Sequence, residues 1–318
     1  MPKLITVIGA TGIQGGSVAR TLLADSTYIV RAVTRNPESA AAVSLRTQGA
    51  EIVQADLDDV TSLAAAVDGS YAIFAVTNFF EAFPTAGAVR AQETESTHGI
   101  NLAKAAAATP TLQHYIWSTL PNASEVSNGR CFIPHYAAKN KVDSYIRSDP
   151  ELLSKTTFLW VSFYASNLQY PFYEPFPVAT AGSNKYAQIQ ATPPSVPITL
   201  VGDARSNVGL FAKSILDQPQ MTLPAKIVLA STDEMTAGEL LSLWASIHGK
   251  DAVYVQADKD TYYSMWPMWA EIMDASHMYW ELAQEKSYSS EGQVVLTRQD
   301  LGVFGLVDTA TAIARTRN

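Results

Sequence analysis

The stretch Leu4-Ile5-Thr6-Val7-Ile8-Gly9-Ala10-Thr11-Gly12-Ile13-Gln14-Gly15-Gly16 admits few folds. Its first five residues are mostly apolar and β-branched, the pattern of a strand buried on both faces of a parallel sheet. Glycines follow at 9, 12, 15 and 16, and Val18, Leu22 and Leu23 then fall on one helical face. Strand, glycine turn and helix in that order make the phosphate-binding unit of dinucleotide-binding folds. Gly9 permits the tight turn. Gly12 removes a Cβ where phosphate oxygens must approach, and Gly15 lets helix and strand pack closely. The free N–H groups and positive dipole end of the helix complete a pyrophosphate cradle. A glycine turn that serves packing alone is the alternative, and the flanking strand and helix argue against it.

The alternation continues. Strands are expected over 28–33, 51–55, 71–76, 114–117 and 156–163, with helices over 38–48, 60–67, 86–108 and 135–147. The strand at 71–76 is expected to run on into Thr77-Asn78-Phe79-Phe80. This is the pattern of an α/β, Rossmann-type, doubly wound parallel sheet with a smaller, mixed α/β C-terminal substrate region. Residues 1–165 are expected to form the nucleotide-binding domain, with later segments returning to it, and residues 166–318 the substrate-binding region. Residues 170–200 are rich in proline and aromatics and read as irregular, as does the loop Asn122–Pro134. The Met- and Trp-dense stretch 265–280 reads as buried packing, with a wall for a flat apolar ligand as the sharper alternative.

Bulk properties exclude several classes. With 318 residues and 47% hydrophobic content a substantial core is available. The net charge of −8 and the lack of Lys/Arg clusters argue against nucleic acid. No apolar run is long enough for a membrane span. A strand at the very start leaves no room for a cleavable leader, and the single cysteine, Cys131, excludes an intrachain disulfide, so a reducing, cytoplasmic setting is expected. Cys131 reads as a small apolar residue rather than a reactive thiol. The five histidines show no metal spacing, and no metal is expected. A monomer and a homodimer both remain open.

An acid about twenty residues past the glycines would bind a ribose 2′-hydroxyl. Here that position is Arg35, followed by Asn36, and a guanidinium there suits a 2′-phosphate. NADP(H) is therefore the expected cofactor, against an ordinary loop arginine. Asp56 and Leu57, after the third strand, are placed to border the adenine, while Asp58 or Asp59 caps the next helix. Thr77, Asn78 and Phe79 leave the fourth strand at the ligand-bearing edge, and Ser118 leaves the fifth.

These motifs, with Val33-Thr34-Arg35-Asn36-Pro37, Ala75-Val76-Thr77-Asn78-Phe79, the His135…Lys139 helix, Phe163-Tyr164-Ala165-Ser166-Asn167-Leu168 and Asn207-Val208-Gly209, give a chain that resembles NmrA-like proteins. These are atypical members of the short-chain dehydrogenase/reductase superfamily. The resemblance implies an NADP-binding Rossmann domain under a smaller C-terminal region. It implies pyrophosphate contacts from Gly9, Thr11, Gly12, Ile13, Gln14 and Gly15. It puts the 2′-phosphate on Arg35, and the ribose and nicotinamide against Thr77, Asn78, Phe79, Lys139, Tyr164, Ala165, Ser166 and Asn167. The family divides into hydride-transferring enzymes, some in secondary metabolism, and redox sensors that bind NADP(H) and regulate partner proteins.

The wider superfamily pairs a tyrosine with a lysine one helical turn later; here His135 stands four residues before Lys139 and Tyr136 three before. Three readings stay open. Lys139 supplies the proton or stabilises charge, as the resemblance to isoflavone-reductase-like relatives implies. His135 or Tyr136 delivers the proton. Or Lys139 only holds the ribose. Ser118 matches the superfamily's substrate-polarising serine, or caps a loop. Where the family's sensors tend to carry Glu-Asn, this chain has Ser166-Asn167, a smaller and less charged wall. Phe79, Phe80 and Phe83 on one side and Tyr164, Tyr170, Phe172, Tyr173 and Phe176 on another suit a bulky hydrophobic substrate. The expected function is an NADPH-dependent reductase of a C=N, C=C or C=O bond in such a molecule, with a coupled cyclisation or rearrangement as an extension. A non-catalytic NADP(H) sensor is the alternative.

Overall fold

The computed structural model describes residues 2–316. Its centre is an eight-stranded, all-parallel sheet. The strands are β1 (Lys3–Val7), β2 (Tyr28–Thr34), β3 (Glu51–Gln54), β4 (Ala72–Ala75), β5 (His114–Thr119), β6 (Thr156–Val161), β7 (Ile227–Ala230) and β8 (Val295–Leu296). Their order is β8-β7-β6-β5-β4-β1-β2-β3. Every strand end that could carry a ligand therefore lies on one edge, and the order reverses between β1 and β4, where open α/β sheets place their crevice. Helices α1 (Ile13–Leu23), α2 (Ala40–Thr47), α3 (Val60–Val67), α4 (Phe79–Ala107), α5 (Pro134–Ser148) and α6 (Ala204–Asp217) cover the sheet. The expected doubly wound fold is thus present.

The later chain returns to this sheet. β7 and β8 extend it, and α6 packs on α1. A glycine makes that contact possible: a Cβ on Gly209 would stand 2.2 Å from Thr21 Oγ1 and 2.3 Å from the Ser17 carbonyl oxygen. The Gly209 N–H instead donates to Ser17 Oγ at 2.9 Å. Asn207, fully buried, donates to the Val201 and Val307 carbonyls and accepts from the Val307 N–H. The Asn207-Val208-Gly209 motif is accordingly a packing device that ties the C-terminal segment to the nucleotide-binding half.

Two expectations are corrected. The chain after β4 does not stay extended through Phe80: Asn78 caps a helix by accepting from the Phe80 N–H at 3.1 Å, and α4 starts at Phe79. α4 is broken at Gly87, whose φ of +75° a side chain would resist, so the segment before it stands apart from the long helix expected over 86–108. Residues 170–200 are also more regular than their prolines suggest. They contain a strand at Lys185–Gln190, and the strand Pro197–Gly202 begins within them. These strands organise two three-stranded sheets, one joining 233–236, 197–202 and 163–164, the other 251–256, 185–190 and 176–177. The loop Asn122–Pro134 holds one helical turn, Ala123–Val126, and Pro134 opens α5.

Candidate functional site

The glycine loop has the conformation its residues dictate. Gly9 adopts φ +65°, and a Cβ on Gly15 would fall 2.3 Å from the Gly9 carbonyl oxygen. Turn and helix can close on each other only if both positions lack side chains. Gly12 is the N-cap of α1, and no side chain caps its exposed N–H groups. Ile13 packs its side chain toward the core. Gln14 reaches across the crevice: its Nε2 donates to the Tyr164 hydroxyl at 2.6 Å, and its Oε1 accepts from Ser118 Oγ at 2.6 Å. One amide thus joins the glycine loop, the end of β5 and the start of the Tyr164–Asn167 segment.

Arg35 stands at the end of β2 and is largely exposed. Its guanidinium pairs with Glu81 in the first turn of α4. Asn36 Oδ1 accepts from the Glu38 N–H at 3.1 Å, so it shapes the turn. Asp56 does the same for the turn after β3, accepting from the Asp58 N–H at 3.0 Å, and Leu57 packs partly into the core. Asp59 is the cap of α3, whereas Asp58 faces His98 at 3.0 Å.

Lys139 lies at the centre of the second half of the site. It is buried, and its Nζ meets Glu95 Oε1 at 3.0 Å, Thr77 Oγ1 at 3.1 Å and the Thr77 carbonyl at 3.3 Å. Thr77 Oγ1 in turn donates to Glu95 Oε1 at 2.8 Å. The ammonium lies 5.2 Å from the Trp117 ring centroid. The structure thus brings Thr77 and Lys139 together. Glu95 was not among the expected site residues, and it is the group that balances the buried charge.

The other proton-donor candidates, His135 and Tyr136, sit among aromatic rings. Burial, reinforced by the Lys139 charge, pushes the His135 imidazole down to about 3, so it is neutral near pH 7. Its Nδ1 is buried without a partner, and its ring packs against Phe79, Phe80 and Tyr136. Burial pushes the Tyr136 and Tyr164 phenols up to about 12. Tyr136 turns edge-on toward Tyr279, into the C-terminal aromatic cluster. Phe79 is fully buried and stacks with Phe83. Ala165 is buried, while Ser166 and Asn167 are half-buried on a single 3₁₀ segment.

Aromatic side chains form a continuous wall. Trp269, from the Met- and Trp-rich stretch, stacks on Phe80 at 6.2 Å and on Phe172 at 5.2 Å, and meets Phe83 edge-on at 5.0 Å. It joins the two walls that the sequence left separate. The helix that carries it, Trp269–Ala283, also buries Met273, Tyr279 and Trp280, whereas Met265, Met268 and Met278 are exposed, so buried packing holds for only part of that stretch. Among the described residues no group of His, Cys, Asp and Glu is arranged to hold a metal ion, and no helix is long and apolar enough to cross a membrane.

Comparison with known proteins agrees with this architecture. A curated NmrA-like family domain-containing oxidoreductase of Aspergillus hancockii, hkm9, is 39% identical over 166 residues, covering 52% of this chain and 48% of that protein. The match thus spans about half the length of that relative. An NmrA-like family domain-containing protein of Dictyostelium discoideum is 28% identical over 278 residues and 86% of each chain. Among solved structures, NmrA, a negative transcriptional regulator, superposes with a TM-score of 0.77 at 21% identity over 99% of this chain and 96% of that one. A Citrobacter triphenylmethane reductase complexed with NADP(H) gives 0.71 at 18% identity over 99% and 100%. These two likenesses speak to the fold. The NmrA-like family model matches residues 1–311, and the chain belongs to the NmrA-like family.

Proposed function

We propose that this chain is an NADP(H)-dependent reductase of a bulky, hydrophobic small molecule bearing a C=N, C=C or C=O bond. The observation that carries the reading is the buried Lys139 ammonium, fixed by Glu95 and Thr77 beside an aromatic wall. The residues fit the cofactor: α1 begins on a glycine with no side-chain cap, and a Cβ would fill the turn at Gly15. Gly9, Thr11, Gly12, Ile13, Gln14 and Gly15 would hold the pyrophosphate, and Arg35 the 2′-phosphate. Asn36, Asp56 and Leu57 would border the adenosine. Thr77, Asn78, Lys139 and the Tyr164–Asn167 segment would line the ribose and nicotinamide.

When bound, the nicotinamide supplies a hydride to the acceptor carbon. Lys139 Nζ would stand ready to give a proton to the oxygen or nitrogen left negative, or to stabilise that charge. His135, neutral, would serve as part of the apolar lining. Phe80, Phe83, Trp269 and Phe172 would shield the reacting bond from water and select flat apolar substrates. The residues from 166 onward would supply most of the substrate side, and the names of the Aspergillus oxidoreductases support the redox reading.

A second reading has its own support: the fold is that of NmrA, whose described role is regulatory. In that case the chain binds NADP(H) without turnover and presents its C-terminal region to a protein. NADPH oxidation, followed at 340 nm against 3,4-dihydroisoquinoline, cyclohexenone and aromatic aldehydes, separates the two. Turnover of any of these supports the reductase. Silence across the panel with cofactor binding intact supports the sensor.

A further inference from the structure

We infer that Glu95 is the positioning residue for Lys139, and that Thr77 is the exchangeable partner that yields when a ligand reaches the ammonium. The inference rests on the reading above for its consequence in turnover, but its geometry stands alone. Lys139 has three N–H donors and three acceptors: Glu95 Oε1, Thr77 Oγ1 and the Thr77 carbonyl. It can donate to a substrate only by releasing one. The Thr77 carbonyl, at 3.3 Å, is the most distant; the carboxylate, at 3.0 Å, is the nearest and carries the compensating charge.

Glu95 is built into this place. It is 1% exposed, on a stripe of α4 that also buries Ala91, Gly99, Leu102 and Ala106. That stripe faces α5 along a tight seam. Ser96 Oγ donates to the Ala138 carbonyl at 3.2 Å, and a Cβ on Gly99 would stand 2.5 Å from Val142 Cγ2. The seam thus passes Lys139 at the level of Glu95, with close contacts on the neighbouring turn. The second carboxylate oxygen, Oε2, is buried with no partner. A buried acceptor left unpaired is costly. Replacing the carboxylate removes the nearest of the three acceptors and leaves Nζ less firmly held and freer to meet a reagent.

The test uses the full chain, wild type and Glu95→Gln, with Glu95→Asp as the conservative variant. Lysines are labelled competitively with acetic anhydride at pH 7, and each site is read by mass spectrometry. Lys139 is expected to label at least 10-fold faster in E95Q, with the other lysines unchanged and E95D intermediate. With the fastest acceptor of the panel above, kcat is expected to fall at least 10-fold in E95Q while KM moves less than 3-fold. T77V, which removes one neutral acceptor and keeps the carboxylate, is expected to speed Lys139 labelling less than E95Q does. Unchanged Lys139 labelling in folded E95Q overturns the inference, as does labelling in T77V as fast as in E95Q. Should E95Q fail to fold, E95D carries the same comparison. Full turnover by Lys139→Ala would overturn the functional reading instead, and the labelling arm then decides Glu95 by itself.

Discussion

Ser118 Oγ donates to Gln14 Oε1 at 2.6 Å, although 104 residues separate them. The serine one residue from the end of β5 therefore spends its proton on the glycine loop. Ser118 is 1% exposed, and removing its hydroxyl leaves the Gln14 carbonyl short of a donor. Such a loss costs about 1–3 kcal/mol. Ser118→Ala is expected to lower the thermal midpoint while kcat stays within about threefold, because a donor aimed at Gln14 is not polarising a substrate. Calorimetry alongside NADPH oxidation checks this, and a large kcat loss at unchanged stability would restore the serine to a catalytic role.

Three histidines are held neutral by burial. His135 is pushed down to about 3, with Lys139 adding to the effect; His114 is pushed down to about 4, with Lys3 adding; and His277 is pushed down to about 4. Each takes up a proton in the unfolded chain near pH 6.5 but not in the folded one. Their stabilisation is therefore complete above about pH 6.5 and is lost as pH falls toward 4. Asp143 opposes them: burial raises it to about 6, so the folded state binds its proton first. The three histidines outnumber the one carboxyl, so across these four groups unfolding takes up protons and stability falls as pH drops from 6 to 4. Urea midpoints across that range measure the slope, and His277→Gln should reduce it. Since His135 does not titrate near neutrality, kcat is expected to show no inflection from it between pH 5.5 and 8.

Arg35 and Glu81 form an exposed pair, and exposed pairs contribute about 0–1 kcal/mol. A 2′-phosphate offers Arg35 a stronger, charge-assisted partner, worth about 1.5–3 kcal/mol. Arg35→Ala is expected to weaken NADPH binding by about 10- to 100-fold and to leave NADH nearly unchanged. Glu81→Gln, which removes a competitor, is expected to tighten NADPH by at most about fivefold. Fluorescence titration of both cofactors against the wild type and the two variants measures these affinities. Equal wild-type affinities for NADPH and NADH would remove the 2′-phosphate role from Arg35.

The sheet was legible because each β-branched run and each turn signal is local. The sites on its carboxyl edge followed from topology. What escaped was tertiary. Glu95 lies in Gln92-Glu93-Thr94-Glu95-Ser96-Thr97, which reads as a solvated face. The signal was phase: Ala91, Glu95, Gly99, Leu102 and Ala106 recur at helical spacing, so the carboxylate interrupts an otherwise small and apolar stripe. Trp269 as the joint between two aromatic walls had no local signal, since Phe80 and Phe172 lie far away in sequence. β8, only two residues long, carries no periodicity to read. The break at Gly87 was hidden by the alanines that follow it.

Gly99 and Gly209 each admit a neighbouring helix, but they fail differently when filled. At Gly209 a methyl meets the Ser17 carbonyl oxygen at 2.3 Å, and backbone cannot rotate away. At Gly99 it meets Val142 Cγ2 at 2.5 Å, a side chain with a stiff χ1 that must turn or push α5 outward. Overpacking of this kind costs about 1–3 kcal/mol, with the backbone clash at the upper end or beyond. Gly209→Ala is therefore expected to lower stability more than Gly99→Ala while leaving acetylation of Lys139 at its wild-type rate. Gly99→Ala is expected to lose less stability yet raise Lys139 labelling, because an outward α5 draws the amine from Glu95. Val142→Ala, combined with Gly99→Ala, vacates the clashing methyls and is expected to return labelling and turnover toward wild type. If the double variant labels as fast as Gly99→Ala alone, the α4–α5 seam does not set the distance between Lys139 and Glu95.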